Sequence, residues 1–133
     1  MSHNRGRKGV TAVIRGPVVE GNTAAPVARM IRDVDKAVGD RLLDEWRKLL
    51  RASVKRWTGH YSRTLATRET NHTYRVYDTG KTAYGPWLEG TSRRNQRTRF
   101  KGYHALRRAR QQVDRDAKRL ADHVVHAHLS DFQ

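Results

Sequence analysis

An aromatic turn separates the two halves of this sequence: Tyr84-Gly85-Pro86-Trp87-Leu88-Glu89-Gly90-Thr91. Gly85 and Pro86 restrict the backbone, and the two aromatic residues supply large contact surfaces. The segments before the turn alternate as strands do, whereas a basic loop and a long helical pattern follow it. We interpret the turn as a joint that holds a rigid surface against a neighbouring subunit. Trp87 either closes the end of the core or anchors the subunit interface.

The region from Thr23 to Gly59 has the pattern of one long amphipathic helix. Thr23 suits the N-cap position and Gly59 the C-cap position, for a helix of roughly 30 residues. Gly39 is expected to weaken or bend this helix, at about 1 kcal/mol relative to Ala, so two shorter helices meeting there are an alternative. The helical spacing places Trp46 and Trp57 in the core. The apolar stripe consists of Val27, Met30, Ile31, Val34, Val38, Leu42, Trp46, Leu49, Leu50 and Trp57.

Three short segments have the composition or the alternation of β-strands. Residues 10–14 form a β-branched run that fits a strand or an extended arm, and residues 18–19 could continue it. Residues 61–68 and 72–78 alternate between apolar and polar side chains, and residues 69–71 suit a hairpin loop. The sequence therefore predicts a small antiparallel sheet that includes a hairpin.

A second helical stripe extends from about residue 103 to residue 129. Asp114 and Lys118 have the favoured i,i+4 order of an ion pair. The resulting order of elements is (β)-α-β-β-turn-α, which predicts an α+β fold in which two long helices cover one face of a small antiparallel sheet. We expect one domain over residues 10–133, preceded by a flexible basic arm at residues 1–9. The stripe consists of Leu106, Ala109, Val113, Ala117, Leu120, Val124 and Ala127.

The composition restricts both the environment and the partners of the protein. The 133 residues include 28 Lys and Arg against 13 Asp and Glu, for a formal net charge of +15, and no cysteine. A nucleic acid or an acidic protein surface is therefore expected nearby. Disulfides and thiolate metal sites are excluded. Because no apolar run is long enough for a signal peptide or a membrane span, we expect a soluble protein with no membrane partner.

The loop after the turn is rich in arginine. Guanidinium groups bind carboxylates and phosphates equally well, so this loop is a candidate surface for an acidic partner or for DNA. The alternative is a solvated, disordered loop, in which Phe100 would have to stay exposed. The basic residues of the loop are Arg93, Arg94, Arg97, Arg99 and Lys101.

The sequence does not indicate catalysis, a cofactor or a metal site. Gly80-Lys81-Thr82 lacks the preceding glycine and the spacing of a phosphate-binding loop. Three histidines are scattered, and a nuclease that uses one of them as a base stays open as an alternative. Three others near the C-terminus are interpreted as exposed helix-end residues rather than as metal ligands. The scattered histidines are His60, His72 and His104, and the C-terminal ones are His123, His126 and His128.

The order of elements and three motifs resemble the neck and tail-completion proteins of long-tailed bacteriophages. The motifs are Thr58-Gly59 after the first helix, the aromatic turn at residues 84–91, and Phe100 before the last helix. The resemblance covers residues 27–129. It implies a structural virion protein without enzymatic activity, which forms a hexameric ring at the head–tail junction or at the tail end, as a connector, tail-completion or tail-terminator ring.

The resemblance also implies partners and a location. The partners are further copies of the chain, the neighbouring neck and tail-tube proteins, and, non-specifically, the DNA in the channel. The protein would be assembled in the host cytoplasm and reside in the neck or tail of the virion. The small sheet independently favours a ring, because its unpaired edges invite another chain and a head-to-tail contact closes when the rotation permits.

The alternative function is a free basic nucleic-acid-binding protein, which the net charge supports equally well. The aromatic residues lie at turns and on helix stripes rather than between basic residues on a strand, as a stacking platform for bases would require. This distribution favours the structural subunit.

Overall fold

The sheet is built from three strands in the residues that the computed structural model describes, which are 9–15, 25–55, 58–70, 73–82 and 84–129. These strands are β1 (Thr11–Arg15), β2 (Leu65–Glu69) and β3 (Thr73–Asp78). β3 lies in the centre and pairs antiparallel with both others, in the order β1-β3-β2. The predicted small antiparallel sheet with a β2–β3 hairpin is confirmed, but Glu69, which the sequence places in the hairpin loop, is the last residue of β2.

One face of the sheet is buried and the other is open. Along β3, Tyr74, Val76 and Asp78 are buried, whereas the alternate residues Arg75 and Tyr77 lie on the opposite face. This alternation follows from the two-residue period of a strand. The buried face packs against the first long helix, α1 (Ala25–Ser53), which contacts all three strands.

α1 is a single helix of 29 residues, so the alternative of two helices meeting at Gly39 is wrong. Gly39 is buried against β3, and a Cβ atom at this position would lie 2.1 Å from Cδ1 of Tyr74. The missing side chain therefore makes room for the tyrosine ring. The hydroxyl of Tyr74 donates a hydrogen bond of 2.5 Å to Oδ1 of Asp40, the residue that follows Gly39 in α1.

α1 ends earlier than the sequence predicts. Its last residue is Ser53, and the last backbone hydrogen bond to the helix runs from Val54 N to Leu50 O. Gly59, with φ of +76°, lies five residues after Val54. A short 3-10 turn, Ser62–Thr64, then leads into β2, which begins at residue 65 rather than 61. Gly59 is thus part of the connection and not the helix C-cap.

The last long helix, α4 (Ala105–Ala127), packs along α1. Ala109 and Val113 of α4 are buried in the same core as Trp46 of α1, which is fully buried as predicted. The expected Asp114–Lys118 pair does not form, because Lys118 instead contacts Asp122 at 3.0 Å. Both residues of that pair are exposed.

Two short helices occupy the segment between the sheet and α4: α2 (Gly85–Glu89) and α3 (Arg93–Arg97). The α+β class and the order of elements are confirmed, with the turn and the basic loop each containing a short helix. None of the described helices has an apolar stretch that could cross a lipid bilayer. The predictions for residues 1–8, 18–19, 71–72 and 130–133, and those for Thr23 and Trp57, lie outside the described residues.

Candidate assembly surfaces

The aromatic turn forms a compact one-turn helix. Pro86 stands in the first turn of α2, where its missing N–H costs nothing. Gly90 ends the helix with φ of +102°, and its N–H donates a 2.8 Å bond to the carbonyl of Pro86. The N–H of Thr91 donates to the same carbonyl at 2.9 Å. Glycine is required at position 90 because other residues rarely adopt this left-handed conformation.

Glu89, the one carboxylate of the turn, caps α4. Its Oε1 accepts a 2.8 Å bond from the N–H of Leu106, and its Oε2 accepts a 3.2 Å bond from the N–H of Arg107. The residue before α4, His104, makes no side-chain capping bond. Glu89 is 7% exposed, so a buried negative charge satisfies two free amides at the positive end of the helix dipole.

The backbone after Glu89 touches the backbone before α4. A Cβ atom on Gly102 would lie 2.2 Å from Cα of Gly90, so two glycines cross in van der Waals contact. Bonds from Tyr103 N to Leu88 O, at 2.6 Å, and from His104 N to Glu89 O, at 3.2 Å, flank this crossing. The turn and the start of α4 are therefore fastened to each other by main-chain contacts.

The basic loop is ordered around Asn95. The N–H of Arg94 donates to Ser92 Oγ at 3.2 Å and the N–H of Ser92 donates to Asn95 Oδ1 at 3.0 Å, which together cap α3. Asn95 Nδ2 also donates to the carbonyls of Trp87 and Phe100, at 3.1 and 3.2 Å. Because Asn95 is buried with these partners, the alternative of a disordered loop is wrong for these residues.

Trp87 packs within its own chain. Its ring centroid lies 5.0 Å from that of Phe100, which in turn lies 4.9 Å from that of Tyr103. The guanidinium carbon of Arg94 lies 4.8 Å from the Trp87 centroid, within cation–π distance. Trp87 is thus half-buried in a satellite cluster with Phe100, which is also half-buried. Of the two roles proposed for Trp87, the contacts favour the one inside the domain.

The basic residues of the loop divide into two groups. Arg94 stacks on Trp87, and Lys101 Nζ donates to the carbonyl of Asn95 at 2.8 Å, so these two stabilise the loop itself. Arg93, Arg97 and Arg99 extend into solvent. These three remain the candidates for contact with an acidic partner or DNA.

Asp78 is a central residue that the sequence does not reveal. Its Oδ2 accepts bonds from the hydroxyl of Tyr61 at 2.9 Å and from the N–H of Val10 at 3.0 Å, and its Oδ1 accepts one from Gly80 N at 3.0 Å. A Cβ on Gly85 would lie 2.6 Å from Oδ2, which explains the first glycine of the turn. Burial and the Asp78 charge raise the pKa of Tyr61 well above its usual range. The sequence does contain one signal for this role, because Asp78 precedes Thr79-Gly80. In such turns the Asp side chain often accepts a hydrogen bond from the backbone N–H two residues later.

Tyr84 is the aromatic residue of the turn that reaches the surface. It is 39% exposed, and its ring centroid lies 5.8 Å from that of Tyr61. Beside it lies a cleft of about 190 Å³, lined by the apolar side chains of Leu50, Val54 and Leu88. An exposed aromatic side chain next to an apolar cleft can bind a complementary partner.

The hydrogen-bond pattern shows which strand groups face outward. Asp78 N donates to Val10 O, so residues 10 and 78 are a hydrogen-bonded pair. Bonded and non-bonded pairs alternate in an antiparallel ladder, so Ala12 and Ile14 bond β3, whereas Val13 directs its backbone groups outward. In the part of the chain that the structure describes, no other strand pairs with this outer edge of β1.

The outer edge of β2 is partly covered. Thr79 N donates to Thr64 O, so the same alternation directs the carbonyl of Leu65 outward. Arg47 of α1 reaches this carbonyl, with its Nη2 donating at 3.3 Å. β1 therefore offers the more accessible edge for pairing with another chain.

The open face of the sheet combines arginine and tyrosine. Arg68 of β2 lies directly opposite Arg75 of β3, and Tyr77 follows Arg75 on the same face. The expectation that no strand carries aromatic and basic residues side by side is therefore wrong. Because side chains alternate along a strand, Arg75 and Tyr77 are neighbours although Val76 separates them in the sequence.

The C-terminal histidines do not converge. His128 Nε2 lies 2.7 Å from Asp33 Oδ2 of α1, while His123 and His126 are exposed on α4. Among the described residues, no group of three or more potential ligands could hold a metal ion. His128 instead links the end of α4 to the beginning of α1.

Comparisons of the chain with protein-family models, with curated proteins and with solved structures found no match.

Proposed function

We propose that this protein is a structural subunit that assembles into a closed ring, and that the ring belongs to the head–tail junction or the tail end of a long-tailed phage. The observation that carries this proposal is that the residues of the turn at 84–91 fall into two groups, one that contacts the rest of the domain and one that stays exposed. Glu89 and the glycines hold the domain together, whereas Tyr84 stays at the surface beside an apolar cleft. Such a turn gives each subunit a rigid aromatic anchor.

The edge of β1 supports lateral assembly. Val13 directs its N–H and C=O groups away from β3, and a strand of a neighbouring subunit can satisfy them by extending the sheet. A contact between this edge and a different surface of the next copy is head-to-tail, so every copy can bind a further one. The chain of copies closes into a ring when a whole number of the rotations between neighbours makes a full turn.

The basic segment supports axial contacts with other rings. Arg93, Arg97 and Arg99 are exposed on and just after the capped helix α3. The buried Asn95 orders the backbone that carries these arginines, so they leave the chain at defined points. A neighbouring ring with carboxylates at matching points would neutralise part of the +15 charge.

The ring is tested with the purified full-length chain, by light scattering after size exclusion and by negative-stain images over a range of concentrations. The resemblance implies closed rings of about six copies. Tyr84→Ala should weaken assembly, while Leu129→Ala, which also truncates an exposed apolar residue, should not. A second pair of variants tests the edge: Val13→Pro removes an outward N–H, and Val13→Ala keeps it.

The location is tested by immunogold labelling of particles from the phage that encodes the chain. Label at the head–tail junction or at the tail end supports the proposal. Label elsewhere on the particle, or a monomer at every concentration with and without neck and tail-tube proteins, would falsify it. A monomer that binds DNA with a steep dependence on salt concentration would instead support the alternative, a free nucleic-acid-binding protein.

A further inference from the structure

The open face of the sheet carries positive charge that the described chain does not neutralise. Arg68 and Arg75 are a directly opposed cross-strand pair, and both are exposed. Neither guanidinium makes a hydrogen bond or an ion pair with another described residue. Like charges directly opposite each other on neighbouring strands are destabilising, so an anion bound across the pair would remove a cost that the free protein carries.

An aromatic side chain lies beside this pair. Tyr77 is half-buried, and its cross-strand neighbours are the small residues Thr11 and Ala66. Tyr77, Arg68 and Arg75 line a cleft of about 330 Å³. This volume is at the lower end of the range of ligand pockets, about 300–1,000 Å³. The three side chains, which we call the arginine face, thus combine a cavity, two cations and a ring.

The carboxylates near the arginine face are directed elsewhere. Asp78 reaches the cleft, but it is buried and its oxygens accept bonds from Tyr61, Val10 and Gly80. Glu69 follows Arg68 in β2, so its side chain lies on the opposite face of the sheet. Among the described residues these carboxylates do not neutralise the arginine face, so a partner with negative charge would complement it.

We propose that the arginine face binds a single strand of nucleic acid, with Arg68 and Arg75 at phosphates and Tyr77 stacked on a base. Basic residues that follow the backbone, together with aromatic rings for the bases, characterise sequence-independent binding of single strands. An acidic protein surface would also neutralise the arginines, but a nucleic acid strand offers phosphates for the two cations and flat bases for the ring together. The proposal does not depend on the ring-shaped assembly, because all three residues belong to one copy of the chain.

The test measures binding of the full-length chain to fluorescent oligo(dT) by anisotropy over a series of salt concentrations. Replacing both arginines, Arg68→Gln and Arg75→Gln, removes two phosphate contacts. The slope of log affinity against log salt should then become shallower by about 1.4, at about 0.7 per phosphate. The matched control, Arg110→Gln and Arg115→Gln, removes the same charge from exposed positions on α4 and should leave the slope unchanged.

A second measurement isolates stacking. Tyr77→Leu should weaken binding to oligo(dT) by about 5- to 150-fold and leave binding to an abasic oligonucleotide of equal length unchanged, whereas Tyr77→Phe should retain affinity. Thermal unfolding of each variant separates lost binding from lost structure, since the double arginine variant should be at least as stable as the wild type.

Three outcomes would overturn the proposal. The first is an equal change of slope in the two double arginine variants, which would show diffuse electrostatic binding. The second is an equal effect of Tyr77→Leu on both oligonucleotides. The third is binding of polyglutamate without binding of oligo(dT), which would identify an acidic protein as the partner. None of these results changes whether the chain forms rings, so this proposal and the proposed function can fail separately.

Discussion

Glu89 and Leu106 are seventeen residues apart, yet the carboxylate of the first accepts a 2.8 Å hydrogen bond from the backbone amide of the second. The aromatic turn therefore stabilises the beginning of α4 from outside that helix. Because the carboxylate is buried, the interaction is shielded from solvent and from salt. The hydrogen bonds of the acidic residue in this turn are thus made within its own domain.

Glu89→Ala should lower the free energy of unfolding by about 2–3 kcal/mol, because it leaves two amides at the helix terminus without their charged acceptor. Glu89→Gln keeps one carbonyl acceptor and should cost less. Urea unfolding followed by circular dichroism measures both. The control, Asp122→Ala, removes an exposed carboxylate of α4 and should change stability by no more than about 0.5 kcal/mol. Equal costs at positions 89 and 122 would contradict the capping role.

Gly39→Ala distinguishes what the sequence predicts from what the packing requires. Helix propensity alone predicts a gain of about 1 kcal/mol. In the structure the new methyl group would overlap the ring of Tyr74, so we expect a net loss of about 1–2 kcal/mol in the free energy of unfolding. In a Tyr74→Leu background the same substitution should lose most of its cost. A double-mutant cycle by urea unfolding measures this coupling, and additive effects would argue against the contact.

Glu89 and Gly39 show which contacts a single sequence does not predict. The helical stripes and the alternation at residues 72–78 predict the α+β order because they are local periodic patterns. The contacts of Gly39 with Tyr74 and of Gly90 with Gly102 join distant segments, and one sequence contains no signal for them. Likewise, the sequence shows that the loop is basic, but not that Asn95 orders it.

The structure separates residues that the sequence groups together in the candidate surfaces. The sequence identified the aromatic turn and the basic loop, but it did not separate Tyr84, which is exposed, from Trp87, which packs on Phe100. That distinction depends on the direction in which the side chains leave the backbone at Tyr84, the N-cap residue, and at Trp87, inside the five-residue helix α2. The pair of Arg68 with Arg75 depends on the hairpin register, which the alternation alone left undetermined.

Arg68→Gln should stabilise the protein, because it relieves the repulsion across the β2–β3 pair. We expect the free energy of unfolding to rise by about 0.2–1 kcal/mol at low ionic strength. The gain should shrink as salt is added, since both guanidiniums are exposed and the repulsion is screened. Urea unfolding at low and at high sodium chloride concentration measures the difference. A gain that does not depend on salt would have to come from strand propensity instead.

Tyr61 should make the stability of the protein sensitive to alkaline pH. Burial and the neighbouring Asp78 carboxylate raise the pKa of Tyr61 in the folded state, while its unfolded value stays near 10. The neutral phenol is thus favoured by folding, and its contribution is complete below about pH 10. Above that pH the unfolded state releases the proton first, so stability falls by about 1.4 kcal/mol per pH unit from this residue.

The variant that tests this linkage is Tyr61→Phe, with unfolding free energies measured at pH 8, 10 and 11. At pH 8 we expect a loss of about 1–3 kcal/mol, because the buried Asp78 carboxylate loses one donor. The variant should then lose less stability than the wild type between pH 10 and 11. Tyr74, whose pKa is also raised, chiefly by burial, contributes equally to both proteins and cancels in the comparison. Parallel curves for the two proteins would show that Tyr61 ionises as freely in the folded state as in the unfolded one.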